Sequence, residues 1–288
     1  MTGRLTGKVA FITGAARGQG RSHAVTLANE GADIIAVDLC ADVDTAPYPM
    51  ATPADLVETV RQVEATGRRV IAEQADVRDL PGLQKVLEVA VGELGRLDVV
   101  IANAGIAQYA PAVDLTADQW TTMIDINLTG VFFTVKAALP HLLAGAGSDQ
   151  QRGGSIVLTS SAAGLRGIAN CVHYCAAKHG LVGMMKGLAL ELGPHRIRVN
   201  TVHPTTVNSE MVHNESTYEL FLPGRGAKPG DDQSVQQFAR IAQRLNVLPE
   251  PWAEPADVSA AIAFLCSDEA RLVTGVSLPV DAGMAVRW

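Results

Sequence analysis

Short apolar runs without polar alternation recur along the chain, each followed by a stretch whose apolar positions fall three or four residues apart. Lys8–Ile12, Asp33–Asp38, Arg69–Ala72, Asp98–Ala102, Ser155–Thr159, Ile197–His203 and Val276–Val280 read as strands buried on both faces, because neither face of the pleat is left polar. Between them Gly18–Asn29 predicts a helix. Leu56, Val57, Val60 and Val63 predict a second behind the cap-like Thr52-Pro53, and Leu83, Val86, Leu87 and Ala90 a third. Ala117–Leu139, Cys171–Leu192 and Val258–Leu265 continue the helical spacing, while between Pro204 and Pro255 the regularity lapses. Strands alternating with helices predict an α/β fold with a doubly wound seven-stranded parallel sheet in three α/β/α layers. The loop-rich segments Pro47–Pro53, Ala144–Gly154 and Pro223–Pro251 each lie between elements of that sheet, so residues 1–288 are expected to form one domain without internal repeats.

Composition narrows the function. With 48% hydrophobic and 18% charged residues the chain can bury a substantial core. Lys plus Arg number 23 against 30 Asp plus Glu, a formal net charge of −7, and this lacks the basic excess of a nucleic-acid binder. Apolar runs such as Val9–Ile12 and Val99–Ala102 end far short of the ~20 residues a membrane span needs, and the first is too short for a signal peptide. A cytoplasmic, water-soluble chain is expected. Cys40, Cys171, Cys175 and Cys266 contain no C-x-x-C pair, so neither disulfides nor zinc are predicted. Cys171 and Cys175 share a helix face as free thiols, His173 and His203 read as structural, and no metal is indicated.

Gly14, Gly18 and Gly20 follow the first strand and open the first helix, in Gly14-Ala-Ala-Arg17-Gly18-Gln19-Gly20. Glycines here let the backbone turn tightly and approach a pyrophosphate, while the helix N-terminus supplies free N–H groups. A structural βα turn also favours glycine. Asp38, with Leu39 after it, ends the second strand 18 residues beyond Gly20, near the offset at which an acid accepts hydrogen bonds from the adenosine ribose. A carboxylate there would face the 2′-phosphate of NADP, so NAD is favoured. Arg17 is the counter-argument, since it could reach such a phosphate.

Together with Asn103-Ala104-Gly105 after the fourth strand and Tyr174-Cys-Ala-Ala-Lys178, this turn resembles the short-chain dehydrogenase/reductase family over nearly the whole chain. Tyr-x-x-x-Lys alone could be a tyrosine and a lysine on one helix face. Ser161, thirteen residues before Tyr174, and Asn127 in the long helix raise its meaning. The resemblance implies a Rossmann fold and hydride transfer at a carbinol carbon. Tyrosine near pKa 10 is a poor base at neutral pH, and Lys178 with the oxidised nicotinamide is expected to lower that pKa. The resemblance further implies that Lys178 holds the nicotinamide ribose, Ser161 rather than Ser160 positions the substrate oxygen, and Asn127 supports a water-linked proton relay. It assigns Asp76 and Val77 to the adenine, and Asn103, Ala104 and Gly105 to the middle of the cofactor. Pro204, Val207 and Ser209 fall to the carboxamide, although Thr205 and Ser209 depart from the usual Pro-Gly-x-x-x-Thr. Asp281-Ala282-Gly283 likewise departs from Asp-Gly-Gly.

The opening Gly14-Ala-Ala-Arg-Gly-Gln-Gly-Arg-Ser-His23, Asp38-Leu-Cys40 and His203-Pro-Thr-Thr-Val-Asn208 resemble the actinobacterial carveol-dehydrogenase-like, mycofactocin-coupled subgroup. The resemblance implies an NAD retained through turnover and reoxidised in place by an external electron carrier, and also a homotetramer. Residues 39–52, with Tyr48 between Pro47 and Pro49, form a long loop beside the adenosine half and read as a clamp or as a surface insertion. Residues 207–251 are expected to form a substrate lid. Met211, Val212, Tyr218, Leu220, Phe221, Leu222 and Phe238, with Tyr109 and Ile168, suggest an apolar pocket for a small hydrophobic alcohol or ketone, terpenoid- or sterol-like. Two alternatives stand beside this: an NADPH-dependent 3-oxoacyl-thioester reductase, which Asp38 opposes, and a nucleotide-sensing protein, which has no chemical need of the four catalytic candidates.

Overall fold

In a computed structural model of the protein, which describes residues 3–148 and 153–287, seven strands form one sheet. They are β1 (Val9–Thr13), β2 (Asp33–Asp38), β3 (Val70–Gln74), β4 (Val99–Ala102), β5 (Gly154–Thr159), β6 (Ile197–Pro204) and β7 (Ser277–Val280). All pair in parallel, in the order β3-β2-β1-β4-β5-β6-β7. The direction of winding reverses between β1 and β4, which opens a crevice at their carboxyl ends. The helices are α1 (Gly18–Asn29), α2 (Pro53–Glu64), α3 (Leu80–Leu94), α4 (Ala117–Ile124), α5 (Gly130–Ser148), α6 (Val172–Leu192), α7 (Glu215–Phe221), α8 (Asp232–Leu245) and α9 (Pro255–Cys266). Part of the predicted 144–154 loop lies outside the described residues.

The lack of alternation in the strands has a direct cause. Along β1, Ala10 and Ile12 pack with Leu27 of α1, Val63 of α2 and Ile262 of α9. Val9 and Phe11, on the other face, pack with Leu83 of α3, Val135 of α5 and Leu181 of α6. Both faces are covered, so both must be apolar. At α2 the Thr52 hydroxyl accepts from the Asp55 N–H at 3.3 Å and the Asp55 carboxylate accepts from the Thr52 N–H at 2.8 Å, a capping box with Pro53 in the first turn.

The single helix predicted over Ala117–Leu139 is instead α4, a π-helical turn at Asp125–Thr129, and α5. By length and composition alone the continuous stretch Ala117–Gly145 could cross a membrane, contrary to the reading of the apolar runs. Here Val131, Val135, Ala138 and Leu142 place it against the sheet as a core helix.

The segment after β6 is more regular than its sequence suggests. Asn214 caps α7 by accepting from the Thr217 N–H at 2.9 Å, and Asp231 caps α8 by accepting from the Ser234 N–H at 2.8 Å. The two helices close on a small core of their own, in which the Tyr218 and Phe238 rings lie 4.9 Å apart.

After β7, Ala282 adopts φ +51°, and its carbonyl accepts from the Val247 and Leu248 N–H groups at 2.8 and 2.9 Å. This ties the end of the lid to the last strand. The small side chain alone does not make alanine equivalent to glycine there, because the left-handed region penalises any Cβ. Ala282→Gly is expected to stabilise the fold by roughly 1 kcal/mol, or about 2 °C in a thermal melt. An unchanged or lowered melting temperature would show that the turn is unstrained.

Candidate active site

The nucleotide turn is built by close backbone approach. A Cβ on Gly20 would lie 1.9 Å from the Gly14 carbonyl oxygen, so only glycine lets α1 start this near β1. Asn103, after β4, donates through Nδ2 to the Thr13 and Gly14 carbonyls at 3.1 and 3.3 Å, and the Thr13 hydroxyl accepts from the Asn103 and Ala104 N–H groups. The two lips of the crevice are thereby joined. Asp38 stands at the end of β2 with its carboxylate accepting from the Ala16 N–H at 2.9 Å and the Cys40 N–H at 3.1 Å. Gly14, Arg17, Gly18, Gln19, Gly20, Asp38, Leu39, Asp76, Val77, Asn103, Ala104, Gly105 and Ser209 line one cleft along this crevice. The Gln19 Oε1 is buried there without a hydrogen-bond partner, an acceptor left waiting for a donor.

Residues 39–52 cross over that cleft. Arg17 Nη2 donates to the Pro49 carbonyl at 2.5 Å, and the Tyr48 hydroxyl accepts from the Ala107 N–H at 3.0 Å, so the loop reaches from β2 to the segment beyond β4. Val43 packs with Val77, Ile106 and Ile126 beneath it. Tyr48 is 7% exposed, and burial pushes its phenol up to about 12. With Nη2 on the Pro49 carbonyl, Arg17 ties the loop to the glycine turn.

The catalytic candidates converge at the adjoining pocket. Ser161 caps the short turn Ala162–Gly164, where its Oγ accepts from the Ala163 N–H at 3.1 Å, and its side chain favours ionisation of the Tyr174 phenol. The neighbouring Ser160 hydroxyl donates instead to the Lys178 carbonyl at 3.0 Å. Lys178 Nζ lies 5.6 Å from the Tyr174 ring centre and donates to the Thr159 carbonyl at 2.9 Å. Burial lowers the Lys178 ammonium to about 8. Burial raises the Tyr174 phenol well above the ordinary range and Ser161 opposes this only in part, whereas the expected lowering invokes Lys178 together with the oxidised nicotinamide. Desolvation disfavours tyrosinate more than the lysine supports it in this geometry.

Asn127 sits in the π turn, buried, with Oδ1 accepting from the Ile106 N–H at 3.2 Å and Nδ2 donating to the Ile106 carbonyl at 3.0 Å. A Cβ on Gly105 would come 2.5 Å from that Oδ1, so this glycine admits the asparagine to the site. The extra residue of a π turn re-aims one side chain without breaking the helix, which is what the pairing with Ile106 requires.

The pocket beside these groups has a volume of about 330 Å³ and is lined by Tyr174, Ser161, Tyr109, Ile168, Pro204, Val207 and, from the lid, Met211, Val212, Leu220 and Phe221. Gln19, Ser209 and Met211 line both this pocket and the nucleotide cleft. The lid is pinned by a bridge between Val207 and Ala253, and Ser209 Oγ donates to the Val207 carbonyl at 3.2 Å. Tyr218, Leu222 and Phe238 do not face the substrate as predicted; they form the lid's own core. Their spacing fits an inward face equally well, and only the packing of α7 on α8 separates the two.

A family model described as short chain dehydrogenase matches residues 8–219. The chain belongs to the short-chain dehydrogenase family. This dehydrogenase is 53% identical over 285 residues to a (−)-trans-carveol dehydrogenase of Rhodococcus erythropolis, covering 99% of each chain. It is also similar to the crystal structure of carveol dehydrogenase from Mycobacterium avium in complex with NAD, with a TM-score of 0.94 and 52% identity over 99% of this chain and 100% of that one. A short chain dehydrogenase from Mycobacterium paratuberculosis bound to NAD gives 0.86 and 43%, again over 99% and 100%. The dehydrogenase is an alcohol oxidoreductase of the actinobacterial carveol-dehydrogenase-like kind. NAD is the cofactor that fits its cleft, given the glycine cradle, the unpartnered Gln19 Oε1 and the Asp38 carboxylate.

One contributor in this dehydrogenase escaped the sequence reading. Thr205, which replaces the usual glycine, is buried and donates to Asn246 Oδ1 at 3.1 Å, linking the lid to the sheet. His203 is the satisfied structural residue expected of it: its ring bonds the Ser161 carbonyl at 2.8 Å through Nδ1 and the Thr201 hydroxyl at 2.7 Å through Nε2, which holds the peptide carrying Ser161. His173 by contrast is buried with both ring nitrogens unpartnered among the described residues. Cys171 and Cys175 are free thiols with sulfurs 3.7 Å apart, and no cluster of potential metal ligands occurs among the described residues.

Proposed function

We propose that this dehydrogenase interconverts a hydrophobic, ring-bearing secondary alcohol and its ketone, with Tyr174 as general acid/base. The observation that carries the reading is the convergence of Tyr174 and Ser161 on a pocket with mostly apolar walls that adjoins the nucleotide cleft. Held by the glycine turn and Asp38, NAD would supply the hydride acceptor for the carbinol carbon. The chain supplies the rest: Tyr174 and Ser161 hold the substrate oxygen, Tyr174 takes its proton, and Lys178 passes that proton toward solvent through a water-linked relay that Asn127 supports. The lid residues Met211, Val212, Leu220 and Phe221 exclude water from the pocket. Asp38 opposes the NADPH-dependent thioester-reductase reading. A homotetramer in the cytoplasm and an external electron carrier complete the proposal.

The loop 39–52 is assigned to retention of the cofactor, since release from beneath it requires Tyr48 to leave Ala107. The protein purified without added nucleotide should therefore carry NAD, and should oxidise cyclic secondary alcohols faster with an artificial electron acceptor than with external NAD alone. Tyr48→Phe should shorten retention by about threefold to tenfold, the loss of one hydrogen bond. Elution free of nucleotide, with free turnover on external NAD, sinks the retention assignment. Failure on every secondary alcohol under both conditions sinks the functional reading itself.

A further inference from the structure

We propose that Arg166 makes the substrate pocket selective for an anionic substrate: a ring alcohol or ketone that carries a carboxylate remote from the reacting carbon. The proposal rests on the alcohol-oxidoreductase reading above and narrows its substrate class.

Arg166 follows the turn that holds Ser161 and is the only Asp, Glu, Lys or Arg among the residues lining the pocket. Its Nη1 donates to the Met284 carbonyl at 2.8 Å and the Arg287 carbonyl at 3.4 Å, which plants the side chain on the C-terminal turn. Among the described residues no carboxylate lies within salt-bridge distance of it, and its Nε and Nη2 make no hydrogen bond. The guanidinium is half-buried and, among the described residues, partnered only at Nη1.

Closing a neutral substrate over such a cation would strip water from it without replacing the lost interaction. A carboxylate supplies the counter-charge, and the Nε and Nη2 edge of a guanidinium matches its two oxygens. Among the described residues, pinning the C-terminal turn uses Nη1 alone. The cavity of about 330 Å³ suits one ring with its substituents.

The test compares 4-hydroxycyclohexanecarboxylate with 4-hydroxycyclohexanecarboxamide, which differ chiefly in charge, by calorimetry on the NAD-loaded protein and by steady-state kinetics. The carboxylate should bind at least about tenfold more tightly, with the difference in KM rather than kcat, because the contact lies away from the reacting carbon. Arg166→Gln should bring the two compounds within about twofold of each other while the amide keeps its affinity, and Arg166→Lys should restore part of the preference. Equal binding in the wild type, no measurable binding of either compound, or a preference that survives Arg166→Gln overturns the proposal. Equal loss of both compounds in that variant does so too, since it marks a structural role. Tight carboxylate binding without turnover supports the Arg166 assignment and counts instead against the oxidoreductase reading for ring alcohols.

Discussion

Tyr174→Phe is expected to lower kcat for alcohol oxidation by roughly 10²- to 10⁴-fold while NAD binding stays within about twofold of the wild type. The ring forms part of the pocket wall and phenylalanine keeps its volume, so only the hydroxyl is lost. That hydroxyl is the group whose ionisation the Ser161 side chain favours, and it is the acid/base that the arrangement offers at the substrate oxygen. Because burial holds the phenol high, oxidation should accelerate as pH rises and reduction should be favoured as it falls. Rapid-mixing measurement of the hydride step, with calorimetry of NAD, checks both halves. A variant as active as the wild type would remove Tyr174 from the mechanism.

The second large effect concerns the adenosine end. The wild type should bind NAD at least roughly 100-fold more tightly than NADP, since a 2′-phosphate would meet the Asp38 carboxylate with no compensating cation; Coulomb repulsion of about 4 kcal/mol per charge pair at 4 Å is available even at an effective dielectric near 20. Arg17 Nη2 is engaged by the Pro49 carbonyl, which limits the relief this guanidinium can give. Asp38→Asn retains a side-chain oxygen to accept from the Ala16 or Cys40 N–H but removes the charge. It should weaken NAD by about tenfold and reduce the discrimination to about tenfold or less. Calorimetry with both nucleotides on stripped protein decides it. Tighter binding of NADP by the wild type would return the thioester-reductase reading to first place.

Much of this molecule is legible in one dimension because its determinants are local. A strand covered on both faces must be apolar throughout, a βα turn around a pyrophosphate must use glycine, and a tyrosine and a lysine four apart must share a helix face. The glycine turn and Asp38 could therefore be located from local pattern, while Ser161 and the Tyr174–Lys178 pair take their meaning from the family resemblance. Helix α8 was legible too, from Val235, Phe238, Ala242 and Leu245, but the irregular composition around it hides the pattern.

Other features depend on partners far apart in the chain. Tyr48 meets Ala107 across 59 residues, and Arg166 meets Met284 and Arg287 across 118 and 121. Nothing in the periodicity around either residue names the main-chain group at the other end. The π turn that carries Asn127 likewise exists to bring one amide onto Ile106, 21 residues earlier, and a hydrophobic pattern over Ala117–Leu139 reads the same with or without it. Whether Tyr218 and Phe238 line the substrate pocket or fill the lid depended on how two helices pack, since both environments are apolar. Sequence by itself determined the order of the strands, most of the helices between them and the chemistry offered at the carboxyl ends of the sheet. Tertiary structure alone decided what covers that chemistry, because enclosure follows from contacts between distant segments, and local pattern carries no record of them.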